Sequence, residues 1–171
     1  MRLPVPAIIA CGVLCGCSER DLPDDELDPV RAPVVAEVVS AQEALQGAHI
    51  PTLDPLTMND AEISKALGRG PYCAFRYTSA GKPVLAIKPQ DAARSQASGV
   101  VKLNGQLVAL HSQASPGALV LTADNVQLRM TFADRQEGGE PQSKQMRTAE
   151  LLFQVDQRLR VGYRGYYVCA A

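Results

Sequence analysis

Few side chains of this sequence have the type and spacing that catalysis requires. His111 and Ser112 could act as base and nucleophile, but they are adjacent in a segment typical of a strand, where neighbours point to opposite faces. Gly68-Arg69-Gly70 lacks the third glycine and the preceding strand of a dinucleotide-binding loop. Most carboxylates of the C-terminal half lie in predicted turns, where Asp forms local hydrogen bonds. We therefore predict that the protein is not an enzyme and binds no cofactor.

The first 16 residues have the parts of an export signal. Arg2 supplies a positive charge, an apolar run follows as far as Leu14, and small residues come after it. The run is shorter than the roughly 20 residues that cross a bilayer as a helix, and Pro4 and Pro6 would interrupt helical hydrogen bonds. The sequence therefore predicts a signal peptide over residues 1–16 rather than a membrane-spanning helix.

Leu14-Cys15-Gly16-Cys17 resembles the lipobox of bacterial lipoproteins, in which an aliphatic residue, a small residue and Gly or Ala precede a cysteine. Cys15 departs from the Ala, Ser or Thr that is commoner at its position. The resemblance implies a diacylglyceryl group on the Cys17 thiol, cleavage just before it and acylation of the new amino terminus. Two or more acyl chains hold a protein stably on a bilayer. In the enteric sorting rule, Asp after this cysteine retains a lipoprotein at the inner membrane, so Ser18 implies the outer membrane.

Two of the five cysteines, Cys73 and Cys169, remain when the signal is removed and Cys17 carries lipid. The periplasm is oxidising, so two thiols in one small domain usually pair when the geometry allows. We expect a disulfide that closes a loop of about 100 residues; the alternative is two unpaired buried thiols. Zinc normally takes four ligands. Because only His49 and His111 could assist the cysteines, we predict no metal site.

The charge balance excludes one class of partner. Without Arg2, which leaves with the signal, the chain has 16 basic and 18 acidic side chains. Nucleic-acid binding requires a clustered excess of Lys and Arg, so we predict no nucleic-acid partner. The roughly 155 residues that follow the signal suit a single domain.

The densest group of aromatic and basic residues lies near the C-terminus. Arg160, Tyr163, Arg164 and Tyr166 fall within seven residues, with glycines between them. Tyr and Arg are over-represented among the residues that dominate binding energy at interfaces. We predict a binding face formed by these four residues; the alternative is core tyrosines beside solvated arginines.

The mature chain is predicted to begin with a tether. Residues 17–33 are acidic and contain several prolines, with too little apolar surface to pack against a core. We interpret this lipidated, acidic stretch as a spacer between the membrane and the folded domain.

Residues 34–70 are predicted to be a helical lead-in. Apolar residues recur at helical spacing from Val34 until Gly47, although the β-branched valines would also suit a strand. A second helix is predicted over residues 57–67, starting at a capping box formed by Thr57 and Asp60 and ending at Gly68.

Residues 71–171 have the pattern of an antiparallel β domain. Short apolar runs are separated by turn residues, and Asn104-Gly105 is the strongest hairpin signal because both turn residues must adopt positive φ. The predicted strands span residues 72–78, 84–88, 99–103, 106–111, 118–122, 126–132, 149–155 and 159–168. The sequence thus predicts a mainly β fold, an antiparallel barrel or sandwich of about eight strands with one or two short N-terminal helices.

The positions of the two remaining cysteines favour a barrel. Cys73 lies on the first predicted strand and Cys169 at the end of the last, so a disulfide would place these two strands side by side. Gly165 interrupts the alternation of larger side chains on the last strand, and a glycine at such a point often indicates a bulge. We therefore expect a closed sheet with a bulge at Gly165.

The layout of residues 72–171 resembles that of the membrane-bound inhibitors of C-type lysozyme. The resemblance comprises Cys73 on the first strand, the Asn104-Gly105 hairpin and the final Tyr167-Val168-Cys169 strand. The family's Ser-containing loop, which enters the lysozyme cleft, has only a loose counterpart in residues 112–117, and the strands are more widely spaced here. The resemblance implies a small β-barrel that inhibits a cell-wall hydrolase.

Taken together, these features predict a non-catalytic lipoprotein that is held on the outer membrane by its lipid anchor and faces the periplasm. Its expected partner is an envelope protein or a glycan. The alternative function is inhibition of a cell-wall hydrolase, of the kind exerted by the C-type lysozyme inhibitors.

Overall fold

Eight antiparallel strands form a closed barrel in the computed structural model, which describes residues 34–88, 98–133 and 146–169. One further strand lies outside the barrel, and the helices are few and short. The predicted mainly β fold is confirmed. The predicted signal peptide, the lipidation site Cys17 and the tether lie outside the described residues.

All eight predicted strands are present, with their ends shifted by a few residues. Along the chain, the sheet consists of β1 (Val38–Val39), β2 (Cys73–Arg76), β3 (Leu85–Lys88), β4 (Ser98–Leu103), β5 (Gln106–Gln113), β6 (Leu119–Ala123), β7 (Val126–Phe132), β8 (Arg147–Val155) and β9 (Leu159–Cys169). The barrel strands follow one another in the order β5-β4-β3-β2-β9-β8-β7-β6, and pairing of β6 with β5 closes the ring.

Tight turns fix the register of three hairpins. Asn104 and Gly105 join β4 to β5 with φ values of 47° and 81°, as an Asn-Gly turn requires. Asp124 and Asp156, in the turns before β7 and β9, have φ values of 46° and 48°, which Asp tolerates better than most residues. Because strand direction alternates, the three turns lie at one end of the barrel, here called the hairpin end.

A disulfide joins the first and last strands of the barrel. Cys73 of β2 and Cys169 of β9 are direct cross-strand partners, and their sulfur atoms are bonded across 96 residues of sequence. The Cys73 side chain is buried, whereas Cys169 is exposed. The bridge therefore lies where predicted and covalently links the two strands whose pairing makes the sheet continuous.

The inward residues of the barrel strands form the main apolar core. Phe75 and Phe153 are its largest members, and both are fully buried. At the hairpin end the core is covered by the chain before β2, which contributes the buried side chains Ile50 and Leu53. The core therefore continues from the barrel interior into the segment that lies over its hairpin end.

Two α-helices precede β2 in the chain: α1 (Ala41–Ala44) and the longer α2 (Asp60–Leu67). The buried face of α2 packs against the outward side chains of β3, β4 and β5, namely Ala86, Val100 and Leu107. This second apolar cluster covers one side of the barrel. Among the described residues, no helix is long and apolar enough to cross a membrane.

The start of α2 differs from the prediction. Asn59 is the N-cap: its side chain accepts a hydrogen bond from the backbone N–H of Glu62, and the Glu62 carboxylate accepts one from the Asn59 N–H, both at 2.9 Å. The predicted Thr57–Asp60 box is therefore wrong by two residues. Both pairs have the required spacing, but the Asn59 pair also lets Glu62 meet Lys102 of β4 at 2.6 Å. The predicted end at Gly68 is confirmed.

The helix predicted between Val34 and Gly47 is wrong in its first half. Val38–Val39 form β1, which runs parallel to β5, and only Ala41–Ala44 are helical, with Ser40 as the N-cap. Valines suit extended backbone, and the first half of β5 has a free edge with which they can pair. The helical spacing was thus outweighed by pairing with a distant strand.

The bulge predicted at Gly165 is absent. β8 and β9 pair without interruption along their whole length. A Cβ atom at Gly165 would lie 2.6 Å from the Phe75 ring and would overlap the carbonyl oxygen of Arg76. The glycine is required because β2 approaches β9 closely at this point, and not because the strand is irregular.

Candidate functional site

Strand β9 divides the four residues of the predicted binding face between its two sides. Arg160, Arg164 and Tyr166 are exposed on the outer surface of the barrel. Tyr163 points to the other side, where it packs against the main core, because residues separated by an odd number of positions lie on opposite faces of a strand. The structure therefore brings three of the four together and removes Tyr163 from the face.

The three residues belong to a larger surface, here called the arginine wall, formed by the outward side chains of β7, β8 and β9. In the cross-strand register Arg164 lies opposite Glu150, and Gly162 lies opposite Leu152. Leu152 in turn lies opposite Arg129. All members of the wall are exposed or half-buried. The wall consists of Gln127, Arg129, Thr131, Thr148, Glu150, Leu152, Gln154, Arg160, Gly162, Arg164 and Tyr166.

The arginine wall is positively charged on a chain whose net charge is −1. It holds three arginines and one carboxylate, Glu150, which accepts a hydrogen bond from Arg164 at 2.8 Å. Both side chains of this pair are exposed, so the pair contributes roughly 0–1 kcal/mol. Arg164 can therefore exchange Glu150 for another acceptor at little cost.

Gly162 leaves a gap in the row of outward side chains on β9. A Cβ atom at this position would meet no other atom within 4 Å, so packing does not require the glycine. Arg160 and Arg164 flank it, about 13 Å apart at roughly 3.3 Å per residue. A group from a partner could thus approach the strand backbone between two guanidinium groups.

Arg76 of β2 extends the wall at one edge, where it is the cross-strand partner of Tyr166. Its Nε atom is buried, and no hydrogen-bond partner for it occurs in the part of the chain that the structure describes. Beside it, the Tyr72 hydroxyl donates to Asp60 at 2.7 Å. Burial, followed by this hydrogen bond, raises the pKa of Tyr72 to about 12, so the hydroxyl stays protonated at neutral pH.

Tyr163 forms part of a structural cluster near the hairpin end. Its hydroxyl donates to the carboxylate of Asp54, the Tyr77 hydroxyl donates to the Pro55 carbonyl at 2.9 Å, and the two rings lie 5.2 Å apart. Burial raises the pKa of Tyr163, and the hydrogen bond to Asp54 raises it further. Burial raises the pKa of Tyr77 to about 12, with Asp54 adding to the effect. Both tyrosines therefore stay protonated and hold the segment before α2 on the barrel.

With this geometry established, comparison with known proteins identifies a family. A protein-family model described as a domain of unknown function (DUF6692) matches residues 13–171. The chain belongs to this family. No curated protein and no solved structure matches it. Membership of the DUF6692 family carries no stated activity, so the functional argument depends on the surface of the barrel.

The structure places the two residues that the sequence offered as base and nucleophile on opposite faces of one strand. His111 is exposed on the outside of β5, while Ser112 is half-buried on the opposite face. Over residues 34–88, 98–133 and 146–169, no group of three or more His, Cys, Asp or Glu side chains is placed to hold a metal ion.

Sequence reasoning missed Arg129 and Leu152 as members of the wall. Both lie at outward positions of alternating strands, β7 and β8, and this alternation was visible in the sequence. Their proximity to Gly162 depends on the register of three strands, which becomes known only when the barrel is assembled.

Proposed function

We propose that this protein is a non-catalytic lipoprotein of the bacterial outer membrane that faces the periplasm and binds an envelope protein or glycan through the arginine wall. The lipid anchor is Cys17, supported by the likeness of Leu14–Cys17 to a lipobox. Ser18 after this cysteine supports the outer rather than the inner membrane. Residues 17–33 serve as the spacer between the anchor and the barrel.

One observation supports the proposal: the outward side chains are buried on one side of the barrel and exposed to solvent on the other. On the side of β3–β5, the outward residues Ala86, Val100 and Leu107 are fully buried beneath α2 and neighbouring residues. On the side of β7–β9, the outward residues are Arg160, Arg164, Tyr166 and their neighbours, with Tyr166 37% exposed. Arg and Tyr combine apolar contact area with hydrogen-bonding groups, which is why they dominate many interfaces.

The charge of the wall favours a partner with acidic groups. A guanidinium group binds a carboxylate or phosphate through two parallel hydrogen bonds, and the wall offers three guanidinium groups against one carboxylate. An acidic protein surface or an acidic glycan has the complementary charge. Attraction of this kind mainly speeds association and selects the partner.

Chemical crosslinking of intact envelopes, followed by capture of the protein, tests the proposal. The variant Arg160→Glu/Arg164→Glu reverses two charges on the wall; the control Arg69→Glu/Lys82→Glu makes the same charge change at exposed positions outside it. We expect the wild type and the control to capture one defined envelope component and the wall variant to lose it. Equal capture by both variants, or capture of no defined component by the wild type, would contradict the proposal.

A second candidate function is inhibition of C-type lysozyme. The observation in its favour is the layout: an eight-stranded barrel with Cys73 bonded to Cys169 and a hairpin at Asn104-Gly105. The protein should then slow lysis of a bacterial substrate by C-type lysozyme at micromolar concentration. No inhibition at a large molar excess would eliminate this function and leave the envelope-binding function in place.

A further inference from the structure

A groove of about 430 Å³ lies at the hairpin end of the barrel, and none of its lining residues belongs to the arginine wall. Helix α1 forms one side, and the turns that join β6 to β7 and β8 to β9 form the other. The volume is within the range of roughly 300–1,000 Å³ that is usual for small-molecule sites. The lining residues are Gln42, Leu45, Gln46, Asp124, Asn125 and Arg158.

The turns that form one side of the groove are held together by hydrogen bonds. The Asn125 side-chain amide donates to the Asp156 carboxylate at 3.1 Å, and Arg158 donates to the same oxygen at 3.3 Å. The backbone N–H of Asp156 donates to the Asn125 carbonyl at 2.9 Å. Asn125 and Arg158 are therefore positioned in the groove by contacts with protein atoms, before any ligand binds.

Helix α1, which forms the other side of the groove, is held in place by contacts with the barrel. Ala41 and Ala44 are buried in the main core, which leaves Gln42, Leu45 and Gln46 on the groove. The Asn104 side chain, from the β4–β5 turn, donates to the Ala44 carbonyl at 3.2 Å. A helix of four residues would not be stable alone, so these contacts hold it in place and organise the groove in advance.

The lining has the chemistry of a site for hydroxyl groups. The exposed amides of Gln42 and Gln46 each offer donors and an acceptor, while Asp124 accepts and Arg158 donates, so the lining side chains are balanced in charge. A hydroxyl can both donate and accept, and the apolar side chain of Leu45 can contact the carbon face of a sugar ring.

We infer that this groove binds a neutral saccharide unit. The inference rests on the proposed function, because it selects a glycan as one of the envelope ligands, but it places that ligand at a site distinct from the arginine wall. The amides of Gln42 and Gln46 bind hydroxyl or acetamido groups of the saccharide, Asp124 accepts a hydrogen bond from one of its hydroxyls, and Leu45 packs against the carbon face of the ring.

Titration of the isotope-labelled, full-length mature protein with chitotetraose, and separately with maltotetraose, tests the inference by NMR. With either sugar at concentrations up to about 10 mM, we expect backbone amide shifts centred on residues 42–46, 124–125 and 156–158, with a Kd of about 1 mM or lower. The variant Gln42→Ala/Gln46→Ala should weaken binding by about tenfold or more, because two side chains lose their hydrogen bonds.

The matched control is Gln113→Ala, an exposed glutamine at the end of β5 that lies opposite the hairpin end; it should bind as the wild type does. No shifts with either sugar, or equal binding by the double variant, would overturn the inference. Envelope capture that depends on Arg160 and Arg164 would still stand in that case, so the two failures can be told apart.

Discussion

Replacing Gly165 with alanine tests the packing that joins the first and last strands. A Cβ atom at this position would lie 2.6 Å from the Phe75 ring and against the carbonyl oxygen of Arg76. Phe75 is fully buried, and both residues are held in register with Tyr167 and Tyr166 of β9. Neither the ring nor the carbonyl can therefore move away without disturbing the pairing of β2 with β9.

Overpacking of this kind costs about 1–3 kcal/mol, and we expect the upper half of that range because one of the opposing atoms belongs to the backbone. Gly162, three residues earlier on the same strand, provides a matched control. A Cβ atom there meets nothing within 4 Å, and Gly→Ala at such a site is neutral or stabilises by about 0.4–1 kcal/mol through the unfolded state.

Equilibrium unfolding in urea measures both free energies. We expect Gly165→Ala to lower the free energy of unfolding by at least about 2 kcal/mol relative to Gly162→Ala. A difference between the two variants below about 0.5 kcal/mol, which is the usual scale of surface substitutions, would refute the close approach of β2 to β9.

Three further predictions concern the anchor, the disulfide and one ion pair. Cys17→Ser should abolish incorporation of a labelled fatty-acid analogue and leave uncleaved precursor; unchanged labelling would refute the lipobox assignment. Cys169→Ser should destabilise the barrel by about 4–5 kcal/mol, the chain-entropy value for a loop of 96 residues. Calorimetry would record this loss as a lower Tm. Two free thiols in freshly isolated, non-reduced protein would disprove the bridge. Burial opposes ionisation of Glu62, but hydrogen bonds from Lys102 and the Asn59 backbone outweigh it and lower its pKa below the usual 4.5. The stability that this group contributes is therefore present above pH 4.5 and is lost as the pH falls through the lowered pKa. Glu62→Gln should reduce the loss of unfolding free energy at acidic pH. An unchanged acid dependence would count against the Glu62–Lys102 pairing.

Much of the barrel could be predicted because its determinants are local. Strand alternation and residues suited to positive φ, such as Asn104, Asp124 and Asp156, located all eight strands and their turns. The disulfide was predicted from the cysteine count and the predicted oxidising compartment, and barrel closure was predicted from the disulfide. Each of these inferences used either a short window of sequence or a simple pairing rule.

The features that were missed depend on partners distant in sequence. Val38–Val39 became a strand because β5 has a free edge, and Gly165 is needed because of Phe75 on another strand. Tyr163 is not part of the predicted binding face because its side chain points to the other side of β9, where it contacts Asp54, a residue 109 positions away in sequence. The arginine wall likewise consists of residues from two hairpins, and the groove combines two turns with helix α1; only the closed barrel brings each set together.

The central claim is that the arginine wall contacts an envelope partner, and photocrosslinking in intact cells tests it most directly. A photoreactive amino acid such as p-benzoylphenylalanine can replace Gly162, where a side chain has open space, and can replace Ser64, an exposed residue of α2, as the control. The account predicts a defined crosslinked product on irradiation from position 162 and none from position 64. A product from position 64 alone, or from neither position, would contradict it.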